Sequence, residues 1–140
     1  MERDLSTALQ RAIEAGDQVL TAEVMPPRGA DPSHMLAMAA SLQGRVHAVN
    51  VTDGSRAVMR MSSLASCKLL LEAGLEPVLQ MACRDRNRIA LQADLLGAHA
   101  LGIRNLLCLT GDPVRAGDQA DARPVHEFES GKPGSSTHRT

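Results

Sequence analysis

Four polar residues close four short apolar segments at positions 23, 52, 80 and 110, so at intervals of 29, 28 and 30 residues: Glu23, Thr52, Gln80 and Thr110. A strand followed by a helix takes about 30 residues, and this spacing therefore predicts a repeated strand–helix unit. In a barrel of such units, the carboxyl ends of the strands form the active-site face. We therefore expect these side chains to lie at a ligand-binding edge.

Glu23 is the first candidate for acid–base chemistry. It lies within an apolar strand segment, between Ala22 and Val24. A carboxylate in such a place is costly unless it is solvated, paired or protonated, and a protonated carboxyl group suits general acid catalysis. The alternative interpretation is an ordinary glutamate at a strand end, paired with Arg28.

Two loop segments follow predicted strands and contain small or polar residues. Asp112 lies between Gly111, which permits a sharp turn, and Pro113, which disfavours helical geometry at the residue before it. The segment Thr52-Asp53-Gly54-Ser55 offers hydroxyl groups and backbone N–H groups to a phosphate or a ribose. Ordinary turns, one of them capping the next helix, are the alternative for both segments.

Three arginines lie beside the end of the third predicted strand, at Arg84, Arg86 and Arg88. One interpretation is that they bind an anionic cofactor or an acidic substrate tail. The other is an exposed helix start, in which Asp85 caps the helix and the arginine side chains are solvated.

Composition restricts the possible partners. The net charge is −1 and aromatic residues make up 1% of the chain, which argues against nucleic acid as a partner. No apolar stretch reaches the length of about 18 residues that spans a membrane, and the charged N-terminus lacks a signal-peptide pattern. Cys67, Cys83 and Cys108 form no C-x-x-C pair, so we expect no metal and interpret them as buried, reduced thiols of a cytoplasmic protein.

The hydrophobic pattern predicts the elements that position these residues. Strands are expected at 19–25, 46–52, 77–83 and 105–109, and helices at 3–15, 32–44, 59–73 and 86–100. Short apolar strands separated by helices are typical of a parallel sheet covered by helices. Spacing alone leaves two α/β architectures open, half of a (β/α)8 barrel and a small doubly wound sheet. Residues 113–140 are rich in Gly, Pro and Ser, and most of them are predicted to be irregular or disordered.

Four segments, taken in order, resemble the methylenetetrahydrofolate reductase family over residues 17–118. They are Thr21-Ala22-Glu23-Val24-Met25-Pro26-Pro27-Arg28, Val49-Asn50-Val51-Thr52-Asp53-Gly54, Gln80-Met81-Ala82-Cys83-Arg84-Asp85-Arg86-Asn87, and Gly102-Ile103-Arg104-Asn105 leading into Leu109-Thr110-Gly111-Asp112-Pro113. Each segment alone is a weak signal, but their order and spacing together are specific.

The resemblance implies a (β/α)8 barrel of the TIM type that binds FAD. It implies that NAD(P)H reduces the flavin, which then reduces 5,10-methylenetetrahydrofolate to 5-methyltetrahydrofolate. Glu23 matches the glutamate that helps to protonate the folate, and Asp112 matches an aspartate near the flavin. The positions matching the cofactor-binding segments are Thr52, Asp53, Gly54, Gln80, Thr110 and Gly111.

The sequence also departs from the family pattern. Gln80 replaces a histidine of many members, Thr110 an arginine and Asp53 an aromatic residue. Residues 1–118 are expected to form an N-terminal helix and about four of the eight strand–helix units, followed by an irregular tail at 119–140. We expect a truncated half-barrel that pairs with itself or with a second chain. The alternatives are a non-catalytic flavin- or folate-binding half-barrel and an inactive fragment.

Overall fold

The computed structural model describes residues 5–129, which form one helix followed by four strands with a helix between each pair of strands. The strands are β1 (Thr21–Val24), β2 (Ala48–Val51), β3 (Pro77–Ala82) and β4 (Asn105–Leu109). The helices are α1 (Ala8–Ala15), α2 (Ser33–Ala40), α3 (Ser63–Glu72) and α4 (Arg88–Ala100). Each predicted strand and helix is present, and most are shorter than the hydrophobic pattern indicated.

All four strands are parallel and lie in the order β1-β2-β3-β4. Within the described residues this order lacks the reversal that defines a doubly wound sheet. It is the order of consecutive strands in a (β/α)8 barrel, so the sheet is consistent with part of such a barrel.

The two faces of the sheet have different surroundings. Val49, Val51, Leu79 and Met81 lie in the hydrophobic core, which the helices complete with Met35, Ala39, Cys67 and Leu70. Because strand residues alternate between faces, Glu23 and its register partner Asn50 point to the face away from this core. By the same alternation, Gln80, which lies between Leu79 and Met81, points to this opposite face.

The strands β1 and β4 each pair on one side only within residues 5–129. β3 is buried along its whole length, whereas Leu106 and Leu107 of β4 are each 42% exposed. Cys108 also lies on β4 and is exposed, so the prediction of three buried thiols is wrong for this residue. The reason is its place on a strand that pairs on one side only, which the apolar composition of β4 did not reveal.

Helix starts are the least accurately predicted features. Asn87 caps α4 by accepting a hydrogen bond from the Ala90 amide at 3.0 Å, and the helix begins at Arg88 rather than at residue 86. The prediction that Asp85 caps this helix is therefore wrong. α3 begins at Ser63 after the cap Ser62, so residues 59–62 belong to the preceding loop.

The N-terminal edge of the sheet is tied to α1. The Glu76 carboxylate accepts hydrogen bonds from the amides of Ala8 and Leu9 at 2.8 and 3.1 Å. A carboxylate at a helix N-terminus satisfies unpaired amides and complements the helix dipole. This contact fixes α1 at the end of the sheet opposite to the polar strand ends.

From the end of β4 to residue 129, the chain is irregular apart from a short 3-10 turn at Val114–Ala116. Asp118 binds Arg28 at 2.8 Å and the Met59 amide at 2.9 Å, while Glu127 binds the side chain of Arg88 at 2.8 Å. The contact of Glu127 holds part of the predicted tail against the start of α4, and residues 130–140 of that tail lie outside the described residues. None of the helices within residues 5–129 is both long enough and apolar enough to cross a membrane.

Candidate active site at the carboxyl ends of the strands

A cleft of about 280 Å³ lies at the carboxyl ends of the strands. The structure brings every one of the predicted site residues to this cleft, where they line its wall together with Ser55 and Leu109: Glu23, Thr52, Asp53, Gly54, Gln80, Thr110, Gly111 and Asp112. The cleft is formed because the parallel strands end at one edge and each contributes its following loop.

Glu23 is exposed on β1, so its carboxylate is solvated rather than enclosed. Arg28, which the alternative interpretation paired with Glu23, instead binds Asp118 at 2.8 Å. Within residues 5–129, Glu23 forms no salt bridge. Its carboxyl group is therefore open to water and to a ligand in the cleft.

The carboxylate of Asp112 is held in place by the loop after β2. Its Oδ2 accepts a hydrogen bond from the Arg56 amide at 2.6 Å. Arg56 and Ala57 have φ angles of 59° and 57°, which are strained for residues other than glycine. Such strain is tolerated where surrounding contacts fix the backbone, and it is common at functional sites. The carboxylate of Asp112 is thus held by the loop after β2, whose backbone conformation at Arg56 and Ala57 is strained.

Gly111 forms the sharp turn that the sequence predicted, with a φ of 95°. A Cβ at this position would lie 2.9 Å from Cβ of Arg84 and 3.3 Å from that of Ala82. Both the backbone angle and the close packing therefore require glycine before Asp112.

Two polar side chains in the cleft are buried. Thr52 Oγ1 is buried without a hydrogen-bond partner among the described residues, and Gln80 is also buried. An unsatisfied buried hydroxyl group costs about 1–3 kcal/mol, which a polar ligand atom can recover. The Gln80 amide can both donate and accept, so this wall of the cleft is suited to a ligand with polar ring atoms.

The carboxylate of Asp53 is engaged within the protein. Its Oδ2 accepts from the Ala82 amide at 2.8 Å and forms an ion pair with Arg86. Arg86 also binds Asp94 at 2.9 Å and the Ala82 carbonyl oxygen at 3.1 Å. Burial lowers the pKa of Arg86, but hydrogen bonding and the charge of Asp53 outweigh it and raise this pKa overall.

Arg84 is buried and forms two hydrogen bonds with the Asp85 carboxylate, at 2.8 and 2.7 Å. This bonding is the main cause of the raised pKa of Arg84 and of the lowered pKa of Asp85. The interpretation of solvated arginines is therefore wrong for Arg84 and Arg86, which form internal ion pairs. The R-D-R pattern was visible in the sequence, but the partner of Arg86 lies 33 residues away.

No group of three or more His, Cys, Asp or Glu side chains within residues 5–129 could hold a metal ion. The cleft offers carboxylates, hydroxyl groups, an amide and backbone groups. This chemistry suits proton transfer and the orientation of an organic ligand.

Comparison with known proteins agrees with the motifs and with the parallel sheet. A family model described as methylenetetrahydrofolate reductase matches residues 8–132, which is most of the chain and contains all the cleft residues. The resemblance found in the four segments is thereby confirmed. This chain belongs to the methylenetetrahydrofolate reductase family, whose members are folate-related oxidoreductases.

Proposed function

We propose that this chain takes part in the reduction of 5,10-methylenetetrahydrofolate to 5-methyltetrahydrofolate, with FAD as cofactor and NAD(P)H as reductant. The observation that carries the proposal is the single cleft, in which all eight residues matched to the family's site lie together. Family membership supports the folate substrate and the oxidoreductase class.

The residues of the cleft fit a flavin. The unsatisfied hydroxyl group of Thr52 and the buried Gln80 amide offer hydrogen bonds to the polar edge of an isoalloxazine ring. Gly54 and Gly111 bring the loops that follow β2 and β4 to the edge of the same cleft. When bound, a flavin accepts a hydride from NAD(P)H and delivers it to the methylene carbon of the folate.

Glu23 has the role of general acid in this proposal. Its carboxyl group donates a proton to the folate nitrogen that leaves the methylene carbon, and its exposure allows water to restore the proton. Asp112, fixed by the Arg56 amide, places a negative charge beside the cofactor. That charge disfavours further negative charge on the flavin and so favours hydride release.

Association with a second copy or a second chain is part of the proposal. Within the described residues, β1 and β4 each have one unpaired edge, and β4 exposes Leu106 and Leu107. Unpaired edges with apolar side chains favour strand pairing. The free thiols Cys67, Cys83 and Cys108 support a cytoplasmic location, where thiols stay reduced.

The proposal is tested first by titrating the full chain with FAD and recording its visible spectrum and its mass in solution. Flavin reduction by NAD(P)H and folate reduction are then measured separately. Glu23→Gln should reduce folate turnover by about 100-fold or more, because general acid catalysis contributes about that much. It should leave flavin reduction unchanged.

Glu14→Gln, on α1 at the other end of the sheet, is the matched control and should affect neither step. A chain that takes up no flavin would refute the proposed function. Flavin or folate binding without turnover would support the non-catalytic alternative. Folate turnover that survives Glu23→Gln would show that another residue supplies the proton.

A further inference from the structure

Arg84 links two loops of the cleft that come from different strands. Its Nη1 lies 3.3 Å from the Gly54 carbonyl oxygen and 3.3 Å from the Asp112 carbonyl oxygen. The first loop follows β2 and carries Thr52 and Asp53, and the second follows β4 and carries the candidate carboxylate. One nitrogen atom therefore donates to both sides of the site.

The guanidinium group is fixed at this place. Arg84 is only 4% exposed, and burying its charge is costly unless it is paired. The Asp85 carboxylate pairs with Nε and Nη2 at 2.8 and 2.7 Å, which orients the planar group and directs Nη1 towards the two carbonyl oxygens. These bonds occupy Nε and both terminal nitrogens, which leaves little capacity for an anionic ligand.

The loops are also packed around this side chain. A Cβ at Gly54 would lie 2.7 Å from Nη2 of Arg84, and a Cβ at Gly111 would lie 2.9 Å from its Cβ. Both glycines thus leave space that the arginine fills. The loops are also linked directly by two backbone amides, from Arg56 to Oδ2 of Asp112 at 2.6 Å and from Met59 to Oδ1 of Asp118 at 2.9 Å.

We propose that Arg84 is a positioning residue, which holds the Asp112 loop against the β2 loop and thereby places the Asp112 carboxylate. Arg84 acts through these loops and does not contact the folate or the flavin. The role of the Asp112 carboxylate beside the cofactor rests on the proposed function. The link between the two loops is present in the protein without any ligand. The two parts can therefore be tested separately.

The first test is hydrogen exchange of the Arg56 amide in the ligand-free full chain. In Arg84→Met this amide should exchange about tenfold faster or more, since the variant loses the hydrogen bonds from a charged donor to both loops. The Leu79 amide in β3 reports on the whole fold and should change much less. Arg88→Met, an exposed arginine nearby, should leave the Arg56 amide unchanged.

Asp85→Asn provides a milder variant. It removes the negative charge that pairs with Arg84, and the substituted side chain is half exposed rather than buried. It should accelerate exchange at Arg56 by a smaller factor, and it keeps the test valid if Arg84→Met does not fold. Wild-type exchange at Arg56 in the folded variants would overturn the proposal. Equal acceleration at Leu79 would also overturn it, because Arg84 would then only stabilise the fold.

The second test uses the FAD-loaded chain and the midpoint potential of its flavin. The double variant Arg84→Met/Asp85→Asn removes one charge of each sign, so the net charge beside the cleft is unchanged. If Arg84 places the carboxylate, the potential should rise in the same direction as in Asp112→Asn. A wild-type potential in the double variant would overturn the proposal. Failure of the wild-type chain to bind FAD would refute the proposed function alone, and the exchange test would still decide the role of Arg84.

Discussion

Removing Arg86 should destabilise the protein far more than removing another arginine from the same segment. The side chains of Arg86 and Asp53 are 15% and 9% exposed, so Arg86→Met leaves a buried carboxylate without its cation. Breaking a buried ion pair by removing one partner costs about 3–5 kcal/mol. Because Asp53 keeps the hydrogen bond from the Ala82 amide, we expect the lower end, about 3 kcal/mol.

Urea unfolding measures this cost. The chain has no Trp and no Tyr, so far-ultraviolet circular dichroism is the appropriate signal. With an m-value of about 2 kcal/mol per molar urea, the midpoint should fall by about 1.5 M. The matched control is Arg88→Met, since Arg88 is 57% exposed and its pair with Glu127 should contribute about 1 kcal/mol or less.

A double variant separates the lost charge pair from lost packing. Asp53→Asn/Arg86→Met leaves no unpaired buried charge, and Asn can still accept from the Ala82 amide. It should therefore be more stable than Arg86→Met alone. Equal midpoints for Arg86→Met and Arg88→Met would refute the reasoning, because burial would then not determine the cost.

Two further predictions concern the thiols and the loop contact. Burial raises the pKa of Cys67 to about 12 and also raises the pKa of Cys83, whereas Cys108 is exposed, so one thiol per chain should react rapidly with a thiol reagent at pH 8. Cys108→Ser should remove this fast phase, and its persistence would contradict the exposure of β4. Gly117→Ala should destabilise the chain by about 2 kcal/mol, since a Cβ there would lie 1.8 Å from the Ala57 carbonyl oxygen. Gly29→Ala, with no atom within 4 Å of such a Cβ, should have little effect on the same urea midpoint.

The residues of the cleft could be predicted because they recur at a regular interval along the sequence. Glu23, Thr52, Gln80 and Thr110 recur about every 30 residues, and parallel strands in sequential order bring such positions to one edge. The strand order itself could not be predicted from spacing, since a barrel and a doubly wound sheet use the same unit. It depends on which strands pair, and local sequence does not specify pairing between strands.

The arginines were harder to interpret because their partners are distant in the sequence. Arg86 binds Asp53 across 33 residues, and Arg84 binds the Asp112 carbonyl oxygen across 28 residues. Only the Arg84–Asp85 pair is local, and adjacent residues of opposite charge are common on solvated surfaces. The exposure of Cys108 was missed for a related reason, since an edge strand and a central strand can have the same apolar composition.

The contacts of Asp53 also explain how this chain accommodates one of its departures from the family pattern. The family resemblance implies an aromatic residue at the position of Asp53, and a carboxylate at a buried position requires a cation. Arg86 supplies this cation from outside the cleft, and Asp94 binds Nε of Arg86 at 2.9 Å and so helps to orient its guanidinium group. Because both carboxylate oxygens of Asp53 face Arg86 and one also accepts from Ala82, we expect Asp53 to shape the wall of the cleft rather than to bind the cofactor through its charge.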